Sequence, residues 1–251
     1  MTAPALATRG LHKSFGGLAV TTNVELELAH GSRQALIGPN GAGKTTLINL
    51  ISGALAPSAG QVFLGGQDIT RLPQHARARL GLARTFQINQ LFRTLSVIDN
   101  IALALGERMG SSRHFWRPLG RDRALYDEAF ALLAELGLED QALQPIAILP
   151  YGRQRLVEIA LALAARPKVL LLDEPAAGVP SAESHLILDA IAALPEQIAV
   201  LIVEHDMDVV FRFAQRITVM AGGAILTEGT PAEIAADEEV RAVYLGRRRD
   251  G

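Results

Sequence analysis

Hydrophobic positions along the chain follow three different rhythms. Val24, Leu26 and Leu28 alternate with Glu25 and Glu27, the period-two pattern of a strand with one wetted face. Residues 61–69 carry VFL and then QDI around Gly65 and Gly66, which predicts a hairpin. These segments predict a small antiparallel sheet near the N-terminus. Residues 35–37, 169–172 and 199–203 are instead unbroken apolar runs, each ending in a polar cluster. Such runs suit strands buried on both faces of a parallel sheet, where ligands bind beyond the carboxyl ends of the strands. The three polar clusters are therefore expected on one edge. Leu156, Ile159, Ala160, Leu163 and Ala164 follow the i, i+3, i+4, i+7, i+8 stripe of an amphipathic helix. It stops at Arg166-Pro167, and helical character is predicted from about residue 88 to 165. Residues 217–226 predict a second hairpin around Gly222 and Gly223, and Thr230-Pro231-Ala232-Glu233 predicts a capping-box start for a last helix.

Composition narrows the function classes. The chain has 251 residues, 49% of them hydrophobic and 20% charged, enough to build a sizeable core. Lys and Arg number 24 against 26 Asp and Glu, a balance that argues against coating nucleic acid. The absence of cysteine excludes disulfides, thiolate zinc sites and cysteine nucleophiles. Six histidines lie scattered without ligand spacing, so no structural metal is expected. No stretch approaches the roughly 18 apolar residues of a membrane-spanning helix. The start MTAPALATRG lacks a basic segment followed by an apolar one, so no secretory signal is expected. A soluble, cytoplasmic chain is expected, reaching a membrane only by docking onto something else. Residues 106–123 hold five arginines against Glu107 and Asp122 and read as a mobile or partner-facing insertion. Arg247, Arg248 and Arg249 read as a solvated tail.

The sharpest chemical signal is GPNGAGKTT at residues 38–46, a full match to G-x-x-x-x-G-K-[ST] between an apolar strand and a helix. Gly38, Gly41 and Gly43, spaced by Pro39, Asn40 and Ala42, let the backbone curl so that successive N–H groups face phosphate oxygens. The helix after the loop adds its positive end. Lys44 is expected to reach the β- and γ-phosphates, the Thr45 hydroxyl to ligate Mg²⁺, and Thr46 to complete the motif.

Two further clusters belong to the same edge. The run ending at Asp173 and Glu174 delivers two carboxylates. Asp173 suits control of Mg²⁺, directly or through the ion's outer shell, and Glu174 suits the general base that holds the attacking water. The run ending at Glu204, His205 and Asp206 delivers a histidine placed to touch the γ-phosphate and that water. Gln87, following residues 82–86, is a candidate contact to metal and water.

In this order the motifs resemble those of the ATP-binding subunits of ABC transporters, over nearly the whole chain. The resemblance implies an ABC ATPase fold: a P-loop NTPase core with a parallel sheet, a small N-terminal antiparallel β subdomain and an inserted helical subdomain. It implies one such domain over 1–251, with the core at about 5–87 and 166–230, the helical part at about 88–165 and a C-terminal helix and tail at about 231–251. Phe15 looks like the aromatic residue that stacks on adenine, residues 38–46 like the Walker A loop, Gln87 like the Q-loop glutamine, Asp173 and Glu174 like the Walker B end, and His205 like the switch histidine. Leu149, Pro150, Tyr151, Gly152, Arg153 and Gln154 stand where the family signature, usually LSGGQ, lies. In the family that helix start binds the γ-phosphate of ATP held by the opposite subunit, so hydrolysis requires a dimer. Pro150 replaces the usual serine, and Pro180 falls where the D-loop usually has aspartate.

DEPAAG, the tyrosine in the signature, the insertion before it and the ending VRAVYLG resemble the branched-chain (hydrophobic) amino-acid uptake ATPases. ATP and Mg²⁺ are the implied cofactors. Implied partners are integral membrane permeases, a second ATPase subunit (a homo- or heterodimer) and, indirectly, a periplasmic or extracellular solute-binding protein, with no nucleic acid. The chain is then peripheral on the inner face of the cell membrane. Arg113, His114, Phe115, Trp116 and Arg117 suit either a membrane or permease contact or a partly ordered loop. Residues 90–100 are expected near the permease. Competing readings are an ATPase of another ABC system, such as lipopolysaccharide export or urea and amide uptake, a non-transport soluble ABC ATPase, and a P-loop kinase. The LPYGRQ helix has no place in the last.

Overall fold

The structure, a computed structural model, describes residues 3–85, 91–109 and 122–245. They form two compact units. One comprises the described residues of Met1–Arg84, Lys168–Glu174 and Pro195–Gly251, the other those of Thr85–Pro167 and Pro175–Leu194.

The first unit holds, in chain order, β1 (Leu6–Phe15), β2 (Leu18–Leu28), β3 (Arg33–Ile37), α1 (Lys44–Ser52), β4 (Ala59–Leu64), β5 (Gln67–Asp68), α2 (Gln74–Arg79) and β6 (Leu82–Arg84). The chain then forms α3 (Val97–Met109), α4 (Arg123–Glu135), α5 (Tyr151–Ala164) and α6 (Ser181–Ala192) of the second unit. Between and after these it returns to the first unit as β7 (Val169–Asp173), β8 (Ala199–Val203), α7 (Met207–Phe213), β9 (Arg216–Ala221), β10 (Ala224–Gly229), α8 (Pro231–Ala236) and α9 (Glu238–Leu245).

Two sheets fill the first unit. The antiparallel one runs β2-β1-β4-β5, and β2 buries Val24, Leu26 and Leu28 while exposing Glu25 and Glu27, as the alternation predicts. The larger runs β10-β9-β3-β8-β7-β6, parallel except for the β9–β10 hairpin. Every residue of β3, β7 and β8 is buried, which accounts for their unbroken apolar sequences. Leu36 and Asp173 both lie level with Val203. The three strands therefore end together, and Gly38, Glu174 and Glu204 leave the sheet at one edge. Leu47, Ile48, Leu50 and Ile51 of α1 share a core cluster with Leu36 and Leu26 of the two sheets. The last hairpin leads into the capping box on Thr230 and Glu233 that starts α8.

One buried cation locks the far end of α1. Arg77 is 1% exposed and donates to the carbonyls of Leu50 and Ile51 (2.8 and 2.6 Å), Leu72 (2.9 Å) and Thr70 (2.8 Å). Carbonyls at a helix C-terminus lack intrahelical partners and attract positive charge. Desolvation holds the Arg77 guanidinium below its ordinary pKa, and Asp68 acts the other way.

In the second unit, residues 93–97 run beside 144–147. Ser96 bridges Pro145, Val97 donates to the Gln144 carbonyl and Ala147 to that of Arg93. The arginine-rich stretch from 106 is not all loop: α3 continues to Met109, because Arg108 bonds both oxygens of Glu128 on α4 (2.9 and 2.8 Å) and the Ala164 carbonyl of α5 (2.9 Å). Residues 113–117 and 247–249 lie outside the described residues.

Replacing Arg77 with Met is expected to lower the unfolding free energy by about 3 kcal/mol, because four carbonyls, those of Leu50 and Ile51 buried, lose a charged donor. A urea titration checks this, and an unchanged midpoint would show that the clamp carries no stability.

Candidate functional site

The loop between β3 and α1 is pressed on both sides by backbone. A Cβ at Gly38 would lie 2.2 Å from the Met220 carbonyl oxygen of β9, and one at Gly43, where φ is 98°, would lie 2.7 Å from that of Val20 in β2. Only glycine fits such approaches without moving a strand. Gly43 caps α1 with no side chain on the helix N–H groups, and the first turn carries no acidic residue. The helix start is thus open to an external anion. Ala42 is buried, Pro39 and Thr46 are half-buried, and Asn40, Gly41 and Thr45 are exposed.

Lys44 Nζ donates to the carbonyls of Gly38 (2.7 Å) and Pro39 (3.1 Å), so the ammonium arches across its own loop. Desolvation holds its pKa below the ordinary value, while Glu174 and then Asp173 push it back up. Those two carboxylates thereby act on the same ammonium that arches across the loop. Burial also pushes the Tyr244 phenol of α9 up to about 12, with the Gly38 backbone acting the other way.

Asp173 ends β7 with its side chain 2% exposed and pairs with Arg84 at 3.1 Å. Arg84 also donates to Asn49 Oδ1 (2.6 Å) and Ser52 Oγ (3.2 Å) on α1. Glu174 comes next in a left-handed conformation, φ 48°, rare for a residue with a Cβ. Its N–H donates to the Val203 carbonyl (2.9 Å), and its side chain is 33% exposed. His205 Nδ1 lies 3.8 Å from Glu174 Oε1 and 3.8 Å from Oε2 of the buried Glu204, and its own N–H donates to Glu204 (3.2 Å). Asp206 caps α7 through the N–H groups of Asp208 and Val209. The edge thus brings together Lys44, Glu174 and His205. Phe15, at the end of β1, is half exposed with Lys13 Nζ 5.2 Å from its ring centroid. Gln87 lies outside the described residues.

In the second unit, Pro150 caps α5 without a side-chain bond, and the first turn has no acid of its own. Gln154 donates from its side chain to the Leu149 carbonyl (2.8 Å) and from its N–H to that of Pro150 (3.1 Å), closing the turn. Arg153 donates to the Gly137 carbonyl, and Tyr151 is 37% exposed beneath the Arg155 guanidinium. The Gly152 N–H donates to the Glu183 carboxylate of α6 at 3.2 Å. Glu183 and Arg84 both escaped the sequence reading. The pairs span 31 and 89 residues and carry no local pattern.

The sequence pattern of the ABC transporter family matches residues 21–177. The chain belongs to the ABC transporter family. It is an ATP-binding, ATP-hydrolysing subunit of such a transporter. A second pattern, described as branched-chain amino acid ATP-binding cassette transporter, matches residues 224–250. This ABC ATPase is 38% identical to the high-affinity branched-chain amino acid transport ATP-binding protein LivG of Salmonella typhimurium, over 98% of this chain and 99% of that protein. It is 37% identical to BraF of Pseudomonas aeruginosa, which bears the same description, over the same shares. Among solved structures it resembles the ADP conformation of an ATP-binding cassette of an ABC transporter, with TM-score 0.85 and 31% identity over 98% of this chain and 100% of that one. A nucleotide-free cassette gives 0.83 and 30% over 97% and 99%. The ABC ATPase fold expected from the sequence is thus the fold observed.

Gly38→Ala is expected to cost about 2–3 kcal/mol of stability, since the new methyl meets backbone that cannot swing aside. Denaturant unfolding tests it, and wild-type stability would mean that β9 yields at Met220.

Proposed function

We propose that this ATPase drives uptake of branched-chain or other hydrophobic amino acids through partner permeases. The observation that carries the reading is the edge where Lys44, Glu174 and His205 meet, in a chain similar end to end to LivG and BraF. Among the described residues no helix is long and apolar enough to cross a membrane; in this reading partner permeases supply the translocation path. The ATPase sits on the inner face of the membrane through them, and a solute-binding protein supplies the cargo.

Lys44 exchanges the Gly38 and Pro39 carbonyls for β- and γ-phosphate oxygens, and the N–H groups of residues 38–46 take the remaining phosphate charge. Phe15 stacks on the adenine. Glu174 takes a proton from water as its oxygen attacks the γ-phosphorus and the bond to the β-phosphate oxygen breaks, leaving ADP and phosphate. His205 holds the γ-phosphate and that water. Thr45 and Asp173, with Gln87, would hold Mg²⁺: a hydroxyl, a carboxylate and an amide are the hard oxygen donors that ion takes beside substrate phosphates. When bound, the ion offsets phosphate charge.

Leu149, Pro150, Tyr151, Gly152, Arg153 and Gln154 serve the ATP of a second subunit, identical or related. Pro150 brings no hydroxyl to that phosphate, which leaves the Gly152 N–H and the helix dipole to bind it. Glu183 holds that N–H in this structure, so its carboxylate must withdraw when an anion arrives.

Glu174→Gln is expected to keep ATP affinity and lose roughly 10²–10⁴-fold in turnover, read as phosphate release; undiminished release would remove Glu174 as the base. Lys44→Ala is expected to abolish binding of a fluorescent ATP analogue, and retained affinity would undo the cradle. The transport reading is tested in proteoliposomes holding the permeases and the solute-binding protein, where leucine, isoleucine or valine should stimulate ATP hydrolysis. Stimulation by no amino acid would contradict it.

A further inference from the structure

Arg84 ends β6 and is the last residue of the first unit before the chain passes into the second. Its side chain is 10% exposed. One nitrogen donates to Asn49 Oδ1 (2.6 Å) and Ser52 Oγ (3.2 Å), the other to Asp173 Oδ2 (3.1 Å). Asn49 and Ser52 stand four and seven residues beyond Thr45 in α1, so all three share one face of the helix. Arg84 therefore grips the same face of the phosphate helix that carries the Thr45 hydroxyl, and with its other nitrogen grips the carboxylate at the end of β7.

A buried ion pair is a poor device for stability alone, because desolvation offsets most of the Coulomb attraction. A planar guanidinium is a good device for geometry, because its donors diverge in fixed directions. Here those directions link a helix, a strand end and the point where the chain leaves the unit.

We propose that Arg84 is a positioning residue of the nucleotide site: by joining Asn49 and Ser52 to Asp173, it sets the Asp173 carboxylate against the Thr45 face of α1 before metal and nucleotide arrive. The proposal rests on the reading of Thr45 and Asp173 as the magnesium-side pair. Arg84 itself touches neither ion nor phosphate in this role. It holds the carboxylate's orientation, so its loss acts on the metal requirement and leaves the phosphate loop able to bind nucleotide.

The test is binding of a ribose-labelled fluorescent ATP to the full chain, first in EDTA and then with MgCl₂ titrated in. Arg84→Met is expected to bind as the wild type does in EDTA, whereas the MgCl₂ needed for half of the magnesium-dependent gain rises roughly 10- to 100-fold. Arg84→Lys is expected to recover only part of that shift, since one ammonium cannot span three acceptors. Asn49→Ala keeps the charge and loses one strut. It is expected to move the titration the same way by a smaller factor, and it decides the matter should Arg84→Met fail to fold. Wild-type titration by Arg84→Met or Asn49→Ala, alongside an Asp173→Asn chain that has lost the magnesium gain, would overturn the proposal and leave the site reading standing. An Asp173→Asn chain that keeps the full gain would overturn both.

Discussion

The carboxyl ends of β3, β7 and β8 lie level in one parallel sheet, and that register organises this molecule. With β3, β7 and β8 in register at Leu36, Asp173 and Val203, the segment leaving each strand is forced onto one edge. Those segments are a glycine-rich turn, a glutamate and a glutamate–histidine pair. Three segments far apart in the chain are brought to one edge by the ladders that pair β3 with β8 and β8 with β7. The strands are wholly buried, and their polar ends gather at the edge where ligands of such sheets bind.

That edge carries a managed charge balance. The loop between β3 and α1 presents an uncapped helix start and a lysine, features that attract anions. Two carboxylates stand behind it, and both push the Lys44 pKa upward against desolvation. One of them, Asp173, is held by a buried arginine that also grips α1. The other, Glu174, is fixed through a left-handed backbone and a bond to Val203, leaving its side chain partly exposed beside His205. Holding a non-glycine residue in that conformation costs free energy of order 1–3 kcal/mol, and such outliers gather where a side chain must be aimed. In the second unit a carboxylate again meets a helix start, at Gly152. An anion arriving there competes with a group of its own sign.

Local features were legible in the sequence because they depend on spacing. The alternation at Val24, Leu26 and Leu28, the three unbroken runs, the paired glycines of both hairpins and the Thr230–Glu233 capping box each became the expected element. The glycine-rich loop between a buried strand and a helix was legible for the same reason. Partners joined across the chain were not. Nothing local marks Arg84 until Asp173 is brought beside it, or Arg77 until four carbonyls surround it. The charge run from 106 suggested a mobile or partner-facing insertion, yet its first residues continue α3 to Met109, with Arg108 paired to Glu128. Glu183 shows the same limit: a helix whose cap position holds proline gives no sign of which distant acid serves it.

The central claim is that residues 38–46 grip a triphosphate that the turn of residues 149–154 in a second subunit then completes. A structure of the Glu174→Gln chain with ATP and magnesium tests it most directly. The phosphates should lie on the N–H groups of residues 38–46, with Lys44 Nζ moved off the Gly38 and Pro39 carbonyls and a neighbouring subunit's Gly152 amide on the γ-phosphate. Lys44 still bonded to its own loop, with the nucleotide bound elsewhere, would contradict it.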